Sequence, residues 1–238
     1  MAKNAATEPV LYGKKPDVLF IFPEDGGKKI FAEKLRLAQV SEVFKKQFSG
    51  SFDCKEDILI KDISFEIFEI ILDYIHDVDD EDAEDGEDAG DNNDAAEDNE
   101  IEISEYNFLE ILYMASKYFI FPVIEKVIEF VCPYITADNL LYYYEALSNY
   151  QIKKLNDKFQ DIFEHHPIKI IDGLNGSEVH MGILKQILES SCLKIDTEYN
   201  LYAAVATMMK RVSKDAVDVA DEMRKKMGNL IYLIRFPL

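Results

Sequence analysis

Four histidines, His76, His165, His166 and His180, and three cysteines, Cys54, Cys132 and Cys192, are the side chains here best suited to hold a metal or attack a substrate. Their spacing argues against both. Only His165 and His166 are adjacent, and consecutive helical residues do not share a face. No cysteine lies near them in sequence, so no zinc-ligand pattern forms. The cysteines are odd in number and far apart. They make neither a disulfide framework nor a CxxC knuckle, and a reducing compartment follows. No glycine-rich phosphate loop, GxSxG elbow or HExxH pair is present. Catalytic, cofactor-binding and metal-binding residues are therefore read as none, and the protein as not an enzyme.

Carboxylates are abundant but badly placed for catalysis. The net charge is −20, and residues 77–100 supply −14 of it with no lysine or arginine. Such a run has little to bury and repels itself, so disorder is expected. Counting back from Gly86, the calcium-loop positions fall on Glu81 and Ala83, which breaks the EF-hand pattern. A solvated loop and a docking tract for a basic partner both remain open. The negative balance excludes general nucleic-acid binding, which needs excess lysine and arginine. No apolar run approaches the length of a membrane span, and the N-terminus lacks the core of a signal peptide. These features point to an intracellular protein, cytoplasmic or nuclear.

The elements that would position any site follow from periodicity. With 238 residues, 48% of them apolar, the chain can bury one large core or two ordinary ones. Residues 17–22 and 28–32 read as strands around a Pro-Glu-Asp-Gly-Gly turn. A helix is expected over 33–48, with Leu37, Val40, Phe44 and Phe48 on one face, as core or as part of a partner surface. A third strand spans 57–60. Ser64 should cap a helix burying Phe65, Phe68, Ile71, Leu72 and Ile75. A short strand is expected at 101–103. Helices are then expected over 105–118, 121–132, 137–149, 151–164, 178–190, 197–212, 215–227 and 229–234. Thr136 and Asp196 are the expected N-caps, and Tyr142, Tyr143 and Tyr144 should point around one helix axis. The domains are a segment 1–16, an α+β domain 17–133 interrupted by the acidic insertion 77–100, and an all-α domain 134–238.

Several short motifs resemble known families. Glu33 to Phe48 is similar to the BTB/POZ pattern H-K-x-x-L-A-x-x-S-x-V-F-x-x-x-F, matching at Lys34, Leu37-Ala38, Ser41, Val43-Phe44 and Phe48, with Glu33 in place of the histidine. Asp17-Val18 resembles the family's strand-opening pair, and Ala115-Ser116-Lys117-Tyr118 its A-x-K-Y. The helical half resembles a BACK domain, as in kelch-like proteins, at Thr197–Val205 and Leu233–Leu238. The fold implied is an α+β BTB/POZ domain followed by an all-α BACK domain, which by the resemblance is incomplete at Leu238.

The resemblance implies a homodimer with a charged pocket at Asp17 and Lys34. It further implies an adaptor linking a protein substrate to a cullin three RING ubiquitin ligase, with Phe48, Phe52, Asp53 and Cys54 facing the cullin. Many cullin-binding members carry hydrophobic-x-Glu where this chain has Phe52-Asp53-Cys54. The alternative is a BTB–BACK scaffold that dimerises and binds other proteins without a cullin.

Overall fold

The computed structural model describes residues 8–49, 57–77 and 100–212. The helices expected over 215–227 and 229–234, the Leu233–Leu238 motif and most of the acidic insertion lie outside them. The chain divides into two compact units between Phe130 and Val131.

The first unit is built on a four-stranded sheet. Its strands are β1 (Val10–Leu11), β2 (Val18–Phe22), β3 (Lys28–Ala32) and β4 (Ile58–Leu59), in the order β1-β3-β2-β4. β2 and β3 pair antiparallel from Val18 opposite Ala32 to Phe22 opposite Lys28. Gly26 and Gly27 make the turn at positive φ, and Gly27 N donates to Phe22 O at 2.9 Å. β1 joins the edge of β3 in parallel, and β4 that of β2. Segment 1–16 thus supplies a strand that its prolines and polar residues do not announce.

Alternation puts Val18, Phe20, Phe22, Ile30 and Ala32 inward, all buried. The helices α1 (Lys34–Val40), α2 (Glu42–Phe48), α3 (Phe65–Asp77), α4 (Phe108–Lys117) and α5 (Phe121–Val131) follow. Phe20 meets Phe68 of α3 at 4.8 Å between ring centroids and Phe44 of α2 at 6.0 Å, and Phe22 meets Phe65 and Phe68. Each such ring contributes about 1.5–3 kcal/mol by burial. α3 is started twice over. The Ser64 hydroxyl accepts from Ile67 N at 3.4 Å, and Asp25 of the hairpin turn accepts from Phe65 N at 2.8 Å.

Two sequence expectations are corrected here. The single helix over 33–48 is two helices, because Ser41 is extended (φ −135°, ψ 115°) and caps α2. Residues 101–103 are not a strand. Asn107 instead accepts from Ser104 N at 2.7 Å and donates to Glu102 O at 2.9 Å, which turns the chain locally.

The second unit, among the described residues, holds α6 (Leu140–Leu147), α7 (Lys153–His165), α8 (Pro167–Gly173), α9 (Glu178–Glu189) and α10 (Glu198–Val212). Their buried faces include Leu147, Leu155, Phe159, Phe163, Ile183 and Met208. α8 lies between the helices expected over 151–164 and 178–190, where none was expected, with Pro167 at its first position. Two cap assignments move. Thr197 rather than Asp196 accepts from Asn200 N, at 3.2 Å. Thr136 sits in a turn closed by Asn139, so α6 begins only at Leu140. The tyrosine run does spread around α6: Tyr142 is exposed, while Tyr144 packs on Phe159 and Phe163.

Candidate functional site

Asp17 stands just before β2 and Lys34 begins α1. Asp17 N donates to Ala32 O at 3.0 Å, which extends the hairpin and brings the carboxylate to the helix start. There Asp17 Oδ1 accepts from the backbone N of Lys34 at 2.8 Å. The first N–H groups of a helix lack partners within it, so this carboxylate satisfies one of them from another element. Asp17 is exposed and Lys34 half-buried.

The Lys34 ammonium lies 5.8 Å from the ring centroid of Phe48 at the end of α2. Phe48 stacks on buried Phe44 (5.7 Å, 6°), and Phe44 stacks on Tyr118 (4.3 Å, 11°). Asp17, Lys34 and Phe48 are therefore brought together. Phe52, Asp53 and Cys54 lie outside the described residues.

Ser41 anchors this aromatic column. At 1% exposure, its hydroxyl accepts from Phe44 N at 3.1 Å and donates to Tyr118 O at 2.5 Å. Burial pushes the Tyr118 phenol up to about 12, helped by Asp62 and Tyr113 nearby. Asp62 in turn accepts from Lys117 Nζ at 2.7 Å and from the Tyr113 hydroxyl at 2.6 Å, and these bonds hold its carboxyl below the usual range.

Sequence reasoning missed a second cluster, around Glu33. Its carboxylate accepts from Lys15 N at 2.5 Å and lies 3.5 Å from Arg36 Nε. The Lys15 bond is the chief reason its carboxyl sits low. Gly13 has φ +88°, and a Cβ there would fall 2.5 Å from Glu33 Cδ. Arg36 donates to His76 O at 3.1 Å, and the Tyr12 hydroxyl donates to Asp73 at 2.7 Å. Glu33 thus ties the segment after β1 to α1. The one available signal was its departure from the histidine of the matched pattern.

α4 ends at a second missed feature. Phe119 has φ +52°, Ile120 N donates to Ala115 O at 2.8 Å, and Phe119 N donates to Ser116 O at 3.3 Å. That is a Schellman turn with phenylalanine in the place glycine favours. Phe119 and Phe121 stack at 6.2 Å and are 52% and 61% exposed.

These parts can contribute to a contact surface. They offer ring faces, a carboxylate and an ammonium on a rigid sheet-and-helix frame. Among the described residues no group of three or more His, Cys, Asp or Glu side chains could hold a metal ion. None of the described helices is long and apolar enough to cross a membrane. Cys132 and Cys192 are free thiols, and burial pushes that of Cys132 up. Residues 10–87 match the family model of the BTB/POZ domain. A comparison with curated proteins found no match.

Proposed function

We propose that the BTB/POZ domain at residues 10–87 makes this chain a dimeric protein-interaction adaptor. The domain match carries the reading, because BTB/POZ domains are protein-interaction modules that generally dimerise. The clustering of Asp17, Lys34 and Phe48 on one stretch of surface supports it. Asp17 and Lys34 serve the dimer. Phe48, Phe52, Asp53 and Cys54 face a cullin three scaffold, and the helical unit is a BACK domain. On this reading the chain links a substrate to a RING ubiquitin ligase.

A scaffold that dimerises without a cullin is the second reading. Cys54 favours it, standing where many cullin-binding relatives of this fold have glutamate. Sedimentation equilibrium tests the dimer, and a strict monomer at high concentration sinks it. Calorimetric titration with the cullin N-terminal domain separates the two readings. No association at about 50 µM, a free energy of roughly −6 kcal/mol, removes the cullin. If binding is seen, Cys54→Glu should strengthen it.

A further inference from the structure

The second unit carries a polar groove that the adaptor reading does not use. It encloses about 440 Å³ and is lined by Tyr144 and Ser148, by Asn156, Asp157, Phe159 and Gln160 of α7, and by Gln186 of α9. We infer that this groove binds an extended peptide segment bearing arginine or lysine.

The chemistry of the lining selects that ligand. Three of its side chains are carboxamides, which can donate to and accept from a peptide backbone alike. Asn156 and Gln160 lie four residues apart on α7, a rise of about 6 Å. Alternate residues of an extended chain repeat every 6.6 Å or so. The two amides are thus spaced to engage backbone groups on the same edge of one strand-like ligand.

Charge and proton supply then favour a cation. Asp157 is the one carboxylate of the lining, which has no lysine, arginine or histidine. Gln160 Nε2 already donates to Glu164 at 2.7 Å, and Gln186 Nε2 to the Tyr144 hydroxyl at 2.8 Å. What these two amides chiefly offer a ligand is therefore a carbonyl oxygen. A site rich in acceptors suits a guanidinium, with five donors, or an ammonium, with three. Half-buried Tyr144 and buried Phe159, 5.1 Å apart, give the aliphatic stem an aromatic wall.

The test uses the full chain and a fluorescein-labelled octapeptide of alternating arginine and alanine, read by anisotropy at physiological salt. Saturable binding is expected below about 1 mM. Asp157→Asn should weaken it about tenfold, the loss of one charge-assisted hydrogen bond. The Asn156→Ala/Gln160→Ala pair should weaken it similarly. Asn156 and Asp157 are exposed and Gln160 is half-buried, so circular dichroism is recorded on every variant and should not change. Asp157→Lys with a glutamate-alanine octapeptide reverses the charges, and binding there supports the site independently. Wild-type affinity in a combined Asn156→Ala/Asp157→Asn/Gln160→Ala variant would place the arginines on the 77–100 acidic run instead and overturn the inference. So would equal binding of the arginine and glutamate peptides to the wild-type chain, or no saturation by about 1 mM.

Discussion

Asp17 meets Lys34 through the backbone: its Oδ1 accepts from the lysine's amide nitrogen at 2.8 Å. The carboxylate therefore caps α1 whatever side chain follows it, and folding separates from dimerisation by mutation. Asp17→Ala should lower stability by about 1 kcal/mol, the usual worth of a helix cap. Lys34→Ala keeps the capped amide and should change stability by less than about 0.5 kcal/mol. Urea unfolding at neutral pH measures both. If Lys34 serves the dimer as proposed, Lys34→Glu should raise the monomer fraction in sedimentation without lowering the urea midpoint.

Ser41 is the joint between α1 and α2. Its buried hydroxyl accepts from Phe44 N and donates to Tyr118 O, so it holds α2 and the end of α4 together. Ser41→Ala leaves a buried carbonyl and an amide to find other partners. A loss of about 1–3 kcal/mol is expected. Ser41→Thr keeps the hydroxyl and should recover part of it. Equal melting temperatures for Ser41→Ala and the wild type would show that water replaces both bonds.

The residues that sequence reading placed well are those whose signal is periodic. Strands β2 and β3 follow from alternation and a glycine turn, and α3 from its spaced apolar residues. The break at Ser41 was hidden because Leu37, Val40, Phe44 and Phe48 keep helical spacing across it. Only the tertiary bond to Tyr118 shows why the helix stops. β1 was hidden for a similar reason: two residues have no period, and Val10–Leu11 becomes a strand by pairing with β3. Of the site, Asp17, Lys34 and Phe48 could be nominated from motif matches. That Asp17 reaches the backbone amide of Lys34 depends on how the hairpin folds back onto α1, which no local motif encodes. The Glu33 cluster had no sequence signal beyond a mismatch, since its partners Lys15, Arg36 and Gly13 reach it from two elements.

Acid should loosen the first unit through Glu33. Its folded carboxyl lies below its ordinary 4.5, mainly because of the Lys15 amide. A depressed carboxylate stabilises the fold above the unfolded value, and that contribution fades as pH falls through the folded value. Asp62 acts in the same sense from 3.8, though its exposure makes its share smaller. Glu33→Gln can still accept from Lys15 N but carries no charge. It should be less stable than the wild type at pH 7, with the gap closing progressively below pH 4.5. Urea midpoints across this range check the sign. A gap that widens on acidification would show that Glu33 is not the group concerned.

Phe119 offers a stabilising substitution, which is rare at an aromatic residue. Its φ of +52° is a conformation that glycine adopts without strain and other side chains do not. The ring is 52% exposed, so its removal forfeits limited burial and the stack on Phe121. Phe119→Ala loses the ring yet keeps the strain. Phe119→Gly loses the ring and relieves it. Glycine should therefore exceed alanine by about 1 kcal/mol at this position, and should equal or exceed the wild type. Thermal melts of the three proteins decide it. Alanine matching or surpassing glycine would mean that the turn relaxes out of the left-handed region once the ring is gone. The strain would then belong to the stacked Phe119–Phe121 pair rather than to the Schellman turn. If glycine does stabilise, this chain carries a strained, exposed phenylalanine at some cost to its fold, and strain of that kind concentrates at functional surfaces.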